Sequence, residues 1–296
     1  LKRYQIGTVY RDAPVKLGRY REFTQCDVDI VGSSDLLCEV TCMRIAKETY
    51  EALGVPVTIR VNNRKFLFSL FSSQGLAPEQ INAAIMIVDK LAKLGKEALL
   101  EEAAQKGLDR EVVAKLIDLM SAQGDNQEKL AVYNNLLPGD EGLKELQELL
   151  GHFADDAAVI FAPTLARGLG YYTRTVFEVY ARDNETIGSI GGGGRYDDLI
   201  AGYLRAAGQK VDRDYPAVGI SFGLDRIVDA LKQLHKLELQ PSRTQLFVVP
   251  IGVKREAESI AQEFREAGIN TDIDVMGRGP SKNFQYADSL GIPFVA

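Results

Sequence analysis

Polar and hydrophobic side chains alternate along the first 31 residues of the chain, which is the repeat of a β-strand. The segments YQIGTVYR and RYREFTQCDVDIVG are predicted strands, and the breaker-rich DAPVKLG between them is a predicted loop. In the second strand, alternate residues from Arg21 to Asp29 share one face, while Cys26 and Ile30 lie on the other. One polar and one apolar face are typical of an antiparallel sheet with a ligand-facing side.

Segments with helical spacing follow, with one strand signal among them, as far as residue 153. We predict an amphipathic helix over 36–54 and a strand over 56–63. Strand signals are absent from 76–150, and the apolar spacing there predicts helices over 78–105, 109–123 and 141–153. The region 76–150 is therefore predicted to be a helical insertion in a sheet domain formed by 1–75 and 151–240.

Strand signals return after the predicted insertion, over 158–166, 175–181 and 186–194. The segment 217–236 is then predicted to be a strand followed by a helix. Past a linker around Pro241, β- and α-patterns alternate, which predicts a small doubly wound domain at 241–296. The predicted fold class is thus mixed, α+β in the first domain and α/β in the second.

The first helix of this second domain carries an apolar stripe at helical spacing, and Gly268 is predicted to end the helix. The stripe consists of Ala257, Ile260, Ala261 and Phe264.

Composition and charge limit the classes of function. The chain is 46% hydrophobic and 26% charged with a net charge of −6, which is ordinary for a globular protein and argues against a DNA-coating protein. No run of about 18 apolar residues and no signal peptide is visible, so we predict a cytoplasmic protein with no membrane and no DNA partner. Three cysteines form no disulfide framework, and neither of the two histidines has a nucleophile nearby, so a hydrolytic triad is not expected. We also expect both ends to continue in a longer protein.

Four consecutive glycines, Gly191 to Gly194, precede Arg195 and Tyr196. A GxxxxGK[ST] phosphate loop needs Lys and a hydroxyl residue after its last glycine, and a GxGxxG fingerprint needs glycine where Tyr196 stands. Both nucleotide-binding loops are therefore excluded. Taken alone, the run fits either a flexible turn or a strand against which a ligand lies flat.

Three arginines stand on or beside predicted strands with glycine and tyrosine nearby: Arg11, Arg167 and Arg226. The planar guanidinium group binds two oxygens at once, so arginine held by rigid strands suits phosphate or carboxylate recognition. Any one of them alone is better explained as a solvated surface residue. Together with the glycine strand, the three predict a polyphosphate held over the face of a sheet.

These segments resemble the histidyl-tRNA synthetase family of class II aminoacyl-tRNA synthetases. TVYRDAPVKLGRYREFTQCDVDIVG is similar to the second class motif, and AVGISFGLDRI is similar to the third. LARGLGYYTRTVFEV and IGGGGRYDDL are similar to the two histidine-specific signatures of the family. The resemblance covers most of the chain and lacks the upstream first class motif. It implies an antiparallel class II catalytic sheet, a helical insertion and an anticodon-binding domain.

The resemblance also implies a ligase that forms histidyl-adenylate from histidine and ATP and then charges histidine tRNA. Arg11 is expected to bridge the α-phosphate and the histidine carboxylate, and Arg167 to stabilise charge at the α-phosphate, which makes these two the catalytic candidates. Arg226 is expected to bind the γ-phosphate, and Arg19 and Glu22 are further ATP-binding candidates. Mg²⁺ is expected to bridge phosphate oxygens, and no side chain is assigned to it.

Recognition of histidine requires groups that hold both imidazole nitrogens. The histidine-binding candidates at matching motif positions are Arg11, Gln25, Asp29, Arg167, Tyr171, Tyr172 and Tyr196. Gln25 and Asp29 share a strand face by parity, which supports them independently. The four glycines are expected to form a bare floor on which the ligand rests.

Three positions depart from the family pattern. Ala13 stands where many members have a glutamate for the adenine amine, so Asp12 or Glu22 is expected to take that role. Gly170 stands where aspartate is common, which removes a carboxylate near the pocket. Asp225 stands where glutamate is frequent, which is a mild change.

Two non-catalytic alternatives share this fold. The synthetase-like regulatory subunit of a histidine-biosynthetic phosphoribosyltransferase typically loses the arginine motifs and lacks an anticodon domain. The tRNA-sensing module of a stress kinase loses the histidine signatures. Because the arginines and both signatures are present, the sequence favours the ligase, with L-histidine, ATP and histidine tRNA as partners and a homodimer as the assembly that the family implies.

Overall fold

The computed structural model describes residues 1–12, 14–15, 17–167, 170–182, 185–234 and 242–296. The chain divides into two compact units, Leu1–Lys236 and Leu237–Ala296, and each has hydrophobic clusters of its own. None of the helices in the described part of the chain combines the length and the apolar character needed to span a bilayer.

A seven-stranded sheet with the order β1-β2-β7-β6-β5-β3-β4 forms the first unit. Its strands are β1 (Lys2–Tyr10), β2 (Glu22–Val31), β3 (Val57–Asn63), β4 (Val159–Phe161), β5 (Thr175–Ala181), β6 (Ser189–Arg195) and β7 (Ala217–Gly223). Neighbouring strands are antiparallel, except that β3 and β4 are parallel. The predicted antiparallel sheet is confirmed, and the glycine strand β6 lies at its centre.

Helices surround this sheet, and those from α2 to α8 connect β3 to β4. They are α1 (Leu37–Ala52), α2 (Arg64–Ser73), α3 (Pro78–Val88), α4 (Leu91–Leu94), α5 (Lys96–Gln105), α6 (Arg110–Met120), α7 (Asn126–Leu136), α8 (Glu141–Gly151), α9 (Leu199–Ala206) and α10 (Leu224–Gln233). The segment predicted to be helical over 78–105 is helical, but it is divided into α3, α4 and α5. Gly95 adopts a left-handed φ of 78° and separates α4 from α5, a conformation that few other residues tolerate.

Helix α1 covers one face of the central strands. It buries Cys42, Met43 and Tyr50 completely. The ring of Tyr50 lies 5.7 Å from that of Phe222 in β7, and its hydroxyl donates to the carbonyl of Ile190 in β6 at 2.9 Å. The opposite face of these strands is the floor of a cleft.

The second unit is a small three-stranded parallel sheet with helices between its strands. Its elements are β8 (Leu246–Val248), α11 (Lys254–Glu266), β9 (Thr271–Ile273), α12 (Pro280–Ser289) and β10 (Phe294–Val295), with the sheet order β10-β8-β9. This is the predicted doubly wound pattern. The predicted stripe on α11 is only half right, because Ala257 and Ala261 are buried while Ile260 and Phe264 are 43% and 37% exposed. The linker residue Pro241 lies outside the described residues.

Candidate functional site

A cleft of about 310 Å³ lies over the sheet where β2, β6 and β7 adjoin. Most of the predicted site residues line it: Arg11, Gln25, Arg167, Tyr171, Tyr172 and Arg226. Gly191 and Gly192 of β6 and Ser221 of β7 are also part of the lining. The antiparallel sheet thus brings together residues from both ends of the first unit's sequence.

Backbone carbonyl groups anchor two of these arginines. Arg11 donates from Nε to the carbonyl of Tyr20 at 3.1 Å, and its guanidinium carbon lies 4.2 Å from the ring centre of Phe23. Arg226 donates from Nε to the carbonyl of Gly18 and from Nη1 to that of Ser189. Carbonyl groups orient a guanidinium without neutralising it, so both arginines keep their full charge for a ligand.

A third arginine, Arg19, completes what we call the arginine cluster (Arg11, Arg19 and Arg226). Burial lowers the pKa of Arg11, and the charges of Arg226 and Arg19 lower it further. Burial also lowers the pKa of Arg226, and Arg19 adds to the effect. The Nε of Arg19 is buried without a hydrogen-bond partner. Three cations that repel one another in a partly buried place are a favourable site for a multiply charged anion.

Arg167 approaches the cleft from another direction. It is the one non-glycine residue in the described part of the chain with a positive φ, 45°, a strained conformation that often marks functional positions. Its Nη1 donates to the carbonyl of Phe177 in β5 at 3.0 Å and lies 3.9 Å from Oε1 of Glu178. Its guanidinium carbon is 5.4 Å from the ring centre of Tyr172.

The glycine strand β6 makes room for these side chains. A Cβ atom on Gly192 would overlap Nη1 of Arg167, and one on Gly194 would come within 2.9 Å of the Tyr172 ring. On the other face, a Cβ on Gly191 would come within 2.7 Å of the Tyr50 hydroxyl. Arg167 and Tyr172 thus lie against Gly192 and Gly194, while Gly191 and Gly192 also line the cleft, so the bare floor for a ligand stays a prediction.

Three tyrosines lead from the cleft to Asp29. The rings of Tyr171 and Tyr172 are 4.5 Å apart, and those of Tyr171 and Tyr196 are 6.3 Å apart at 90°. The hydroxyl of Tyr196 donates to Oδ1 of Asp29 at 2.5 Å. Burial raises the pKa of Tyr196, and the bond to Asp29 raises it further, so this hydroxyl stays protonated as a donor. Asp29 and Tyr196 are therefore hydrogen-bonded to each other, and neither lines the cleft.

Gln25 reaches the cleft from β2, where its Nε2 donates to Oδ1 of Asp27 at 3.1 Å. Glu22 is exposed at the start of the same strand. Strand alternation places it on the opposite face from Phe23 and Gln25, and it does not line the cleft. Ala13, whose identity raised the question of the adenine contact, lies outside the described residues.

Arg195 is a buried residue whose role the sequence analysis missed. It is fully buried beside Glu39 of α1, which is also fully buried, and the two share hydrogen bonds of 2.5 Å from Nε and Nη2. Its Nη1 donates to Asp197 at 3.1 Å and to the carbonyl of Ser33 at 3.0 Å. Although burial acts to lower the pKa of Arg195, the bonds and charge of Glu39 outweigh it and raise that pKa. The sequence signal for this buried pair is Glu39, a glutamate within the apolar stripe of α1.

A larger groove of about 960 Å³ adjoins the cleft and shares Tyr171 and Tyr172 with it. Gly170 lies in the lining of this groove, so the aspartate that is common at this position would face the groove. Among the described residues, no group of three or more histidine, cysteine, aspartate or glutamate side chains is placed to hold a metal ion by itself.

Comparison with known proteins gives concordant matches. Residues 1–227 match the sequence profile of the family described as Histidyl-tRNA synthetase, and residues 245–296 match that described as Anticodon binding domain. Histidine–tRNA ligase 1 of Bacillus anthracis is 36% identical over 299 residues, which cover 99% of this chain and 68% of the relative. Histidine–tRNA ligase of Bacteroides fragilis (strain YCH46) is 42% identical over 309 residues, which cover 100% of this chain and 65% of the relative. The crystal structure of histidyl-tRNA synthetase from Nostoc sp. PCC 7120 superimposes with a TM-score of 0.75 at 32% identity, over 99% of this chain and 69% of that one.

Proposed function

Because the chain belongs to the histidyl-tRNA synthetase family, we propose that it is a histidine–tRNA ligase, which activates L-histidine with ATP and transfers the histidine to the 3′ end of its tRNA. The observation that carries the proposal is the convergence of Arg11, Arg167 and Arg226 on one cleft beside Tyr171 and Tyr172. Guanidinium groups suit the phosphates of ATP and the carboxylate of an amino acid, and aromatic rings suit an imidazole side chain.

In the proposed first step, the histidine carboxylate attacks the α-phosphorus of ATP and pyrophosphate leaves. The attacking group is already an anion, so no general base is needed, and the main obstacle is to bring two anions together. Arg11 neutralises the carboxylate and the α-phosphate, and Arg167 stabilises the charge that develops at the α-phosphate. Arg226 and Arg19 hold the pyrophosphate that leaves.

The imidazole ring is assigned to the aromatic side of the cleft. Tyr171 and Tyr172 provide ring surface there, and Gln25 provides an amide that hydrogen-bonds to a ring nitrogen. Tyr196 and Asp29 act as a pair, because the carboxylate already accepts the hydroxyl of Tyr196. This arrangement favours a flat side chain with a nitrogen that pairs with the amide of Gln25.

Mg²⁺ is proposed to enter with ATP as part of the substrate complex. Glu178 lines the cleft beside Arg167 and offers its Oε1 to a hard cation, while its Oε2 accepts the hydroxyl of Tyr180. When bound, the ion neutralises phosphate charge. Glu178 would hold it together with the phosphate oxygens.

The second unit is proposed to bind the anticodon stem of the tRNA, since residues 245–296 match the anticodon-binding family. The full-length enzyme is proposed to be a homodimer, as the family resemblance implies. We propose that the enzyme acts in the cytoplasm, where protein synthesis needs charged tRNA. Relatives named as ligases, aligned over 99% or more of the chain, favour this assignment over a regulatory subunit.

The proposal is tested by ATP–pyrophosphate exchange in the full-length protein with each standard amino acid in turn. Histidine should support exchange, whereas glutamine and phenylalanine should be lower by about 10⁴-fold, because a site built on buried hydrogen bonds rejects side chains that leave them unmade. Equal exchange with another standard amino acid would contradict the substrate assignment. Absence of exchange with all of them would favour the regulatory subunit or the tRNA sensor.

A further inference from the structure

Helix α10 holds two residues of the loop between β1 and β2. Oδ2 of Asp229 accepts the hydroxyl of Tyr20 at 2.6 Å and the backbone N–H of Gly18 at 3.2 Å. The hydrogen bond to Asp229 raises the pKa of Tyr20, and burial adds to the rise, so the hydroxyl remains a donor. One side chain thus fastens the loop at two points.

A second carboxylate of the same helix acts one turn earlier. The pairing of β2 with β7 ends at Gln25 opposite Gly223, because β7 gives way there to α10. Oδ2 of Asp225 accepts the N–H of Thr24 at 2.8 Å, just beyond that end. Asp225 and Asp229 are four residues apart and therefore lie on the same face of α10. Their carboxylates bind β2 and the loop beyond the point where β7 stops pairing with β2.

The residues fastened by Asp229 in turn hold the arginine cluster. The carbonyl of Tyr20 accepts Nε of Arg11, and the carbonyl of Gly18 accepts Nε of Arg226. Arg19 lies between Gly18 and Tyr20 in the chain. Asp229 does not line the cleft, so it acts on the cluster through the loop and not by direct contact with a ligand there.

We propose that Asp229 and Tyr20 are positioning residues that hold the arginine cluster in place for the triphosphate of ATP before ATP binds. The three cations repel one another and would separate if the loop were released, and the reaction would then have to bring them back together. A preorganised cluster avoids that cost. The inference rests on the proposed function, since it assigns the cluster to ATP.

The test is the variant Tyr20→Phe in the full-length protein, assayed by ATP–pyrophosphate exchange at varied ATP and varied histidine. Loss of a hydrogen bond to a charged acceptor should raise the KM for ATP about tenfold and leave the KM for histidine within about twofold. The matched control is Tyr133→Phe, which removes a tyrosine hydroxyl bonded at 2.7 Å to the carbonyl of Leu119, away from the cleft. The control should leave both KM values unchanged, although it removes the same chemical group.

A double-mutant cycle separates positioning from direct contact, because Tyr20 also lines the cleft. If Tyr20 acts through Asp229, adding Tyr20→Phe to Asp229→Ala should not raise the KM for ATP further. Asp229→Asn keeps an acceptor oxygen and should lie between the wild type and Asp229→Ala. If Asp229→Ala does not fold, the cycle is run with Asp229→Asn.

An unchanged KM for ATP in Tyr20→Phe would overturn the inference and leave the proposed function intact, and so would additive effects in the cycle. A wild-type protein without exchange activity would instead overturn the proposed function. In that case the dissociation constant of Mg·ATP, measured by calorimetry for the wild type and Tyr20→Phe, decides the inference. A variant that binds Mg·ATP tenfold more weakly than the wild type supports the inference, and equal dissociation constants reject it.

Discussion

The strained backbone of Arg167 and the missing side chain of Gly192 serve the same guanidinium group. Arg167 has a positive φ of 45°, and Gly192 leaves the space in which Nη1 of that guanidinium lies. Neither feature changes the hydrophobic pattern. The sequence could therefore predict that glycines and an arginine belong to one site, but not that Gly192 leaves the space occupied by that arginine.

Strand parity explains which residues could be placed from sequence alone. Gln25 follows correctly from alternation along β2 and does line the cleft. Glu22 is expected from the family resemblance and not from parity, and alternation along β2 puts it on the opposite face from Gln25. Asp29 and Tyr196 form a pair that depends on contact between β2 and the end of β6, which a local pattern does not encode.

Arg167→Ala tests the role of this guanidinium at the residue scale. If Arg167 stabilises the charge at the α-phosphate, the variant should form adenylate about 10²-fold more slowly, a loss of ~3 kcal/mol, with little change in histidine affinity. Single-turnover measurement of adenylate formation checks the rate. An unchanged rate with a higher KM for histidine would show that Arg167 only binds the ground state.

Gly192→Ala should produce part of the same defect without removing any functional group. The new methyl group would overlap Nη1 of Arg167 and lie 3.0 Å from the carbonyl of Phe177, so the guanidinium must shift. We expect adenylate formation to fall by about 10-fold or more. Gly151→Ala, which meets no atom within 4 Å, is the control and should retain full activity. Equal activities of the two variants would contradict the explanation given for the glycine strand.

At the scale of elements, β6 and α1 are joined by the buried pair of Arg195 and Glu39. Glu39→Gln would leave the Arg195 charge buried with weaker compensation and should destabilise the protein by about 3–5 kcal/mol. Glu48→Gln changes an exposed glutamate of the same helix and should have almost no effect. Urea unfolding followed by circular dichroism measures both variants. Equal midpoints would show that the pair contributes no stability.

Which helices could be predicted depends on how their residues are buried. Helix α8 was predicted because Leu143, Leu146, Leu149 and Leu150 form a clear stripe. Helix α7 buries only Leu130 and Tyr133 and shows no helical pattern. Helix α9 has only eight residues and buries only Ala201. The available signal for α7 was its capping box of Asp125 and Glu128.

At the scale of the whole molecule, the alternation of β- and α-patterns after residue 245 predicted the fold of the second unit correctly. The exposure of Ile260 and Phe264 was not predictable from that pattern, because helical spacing does not reveal how much of a stripe a short three-stranded sheet can cover. The core of this unit is small: Leu246, Val248, Ala257 and Ala261 form one cluster, and Phe247, Ala287 and Ile292 form another.

Deletion of the second unit from the full-length protein tests the proposed division of labour. Every described residue that lines the cleft belongs to the first unit, so ATP–pyrophosphate exchange should stay within about twofold of the parent. Aminoacylation of histidine tRNA should fall by about 10²-fold or more in kcat/KM, ~3 kcal/mol, because anticodon contacts are lost while the chemistry is untouched. The loss should appear as a higher KM for tRNA, measured by initial rates at varied tRNA. A truncated enzyme that charges tRNA as well as the parent would refute the anticodon role and leave the catalytic assignment standing, since the exchange reaction is assigned to the cleft of the first unit.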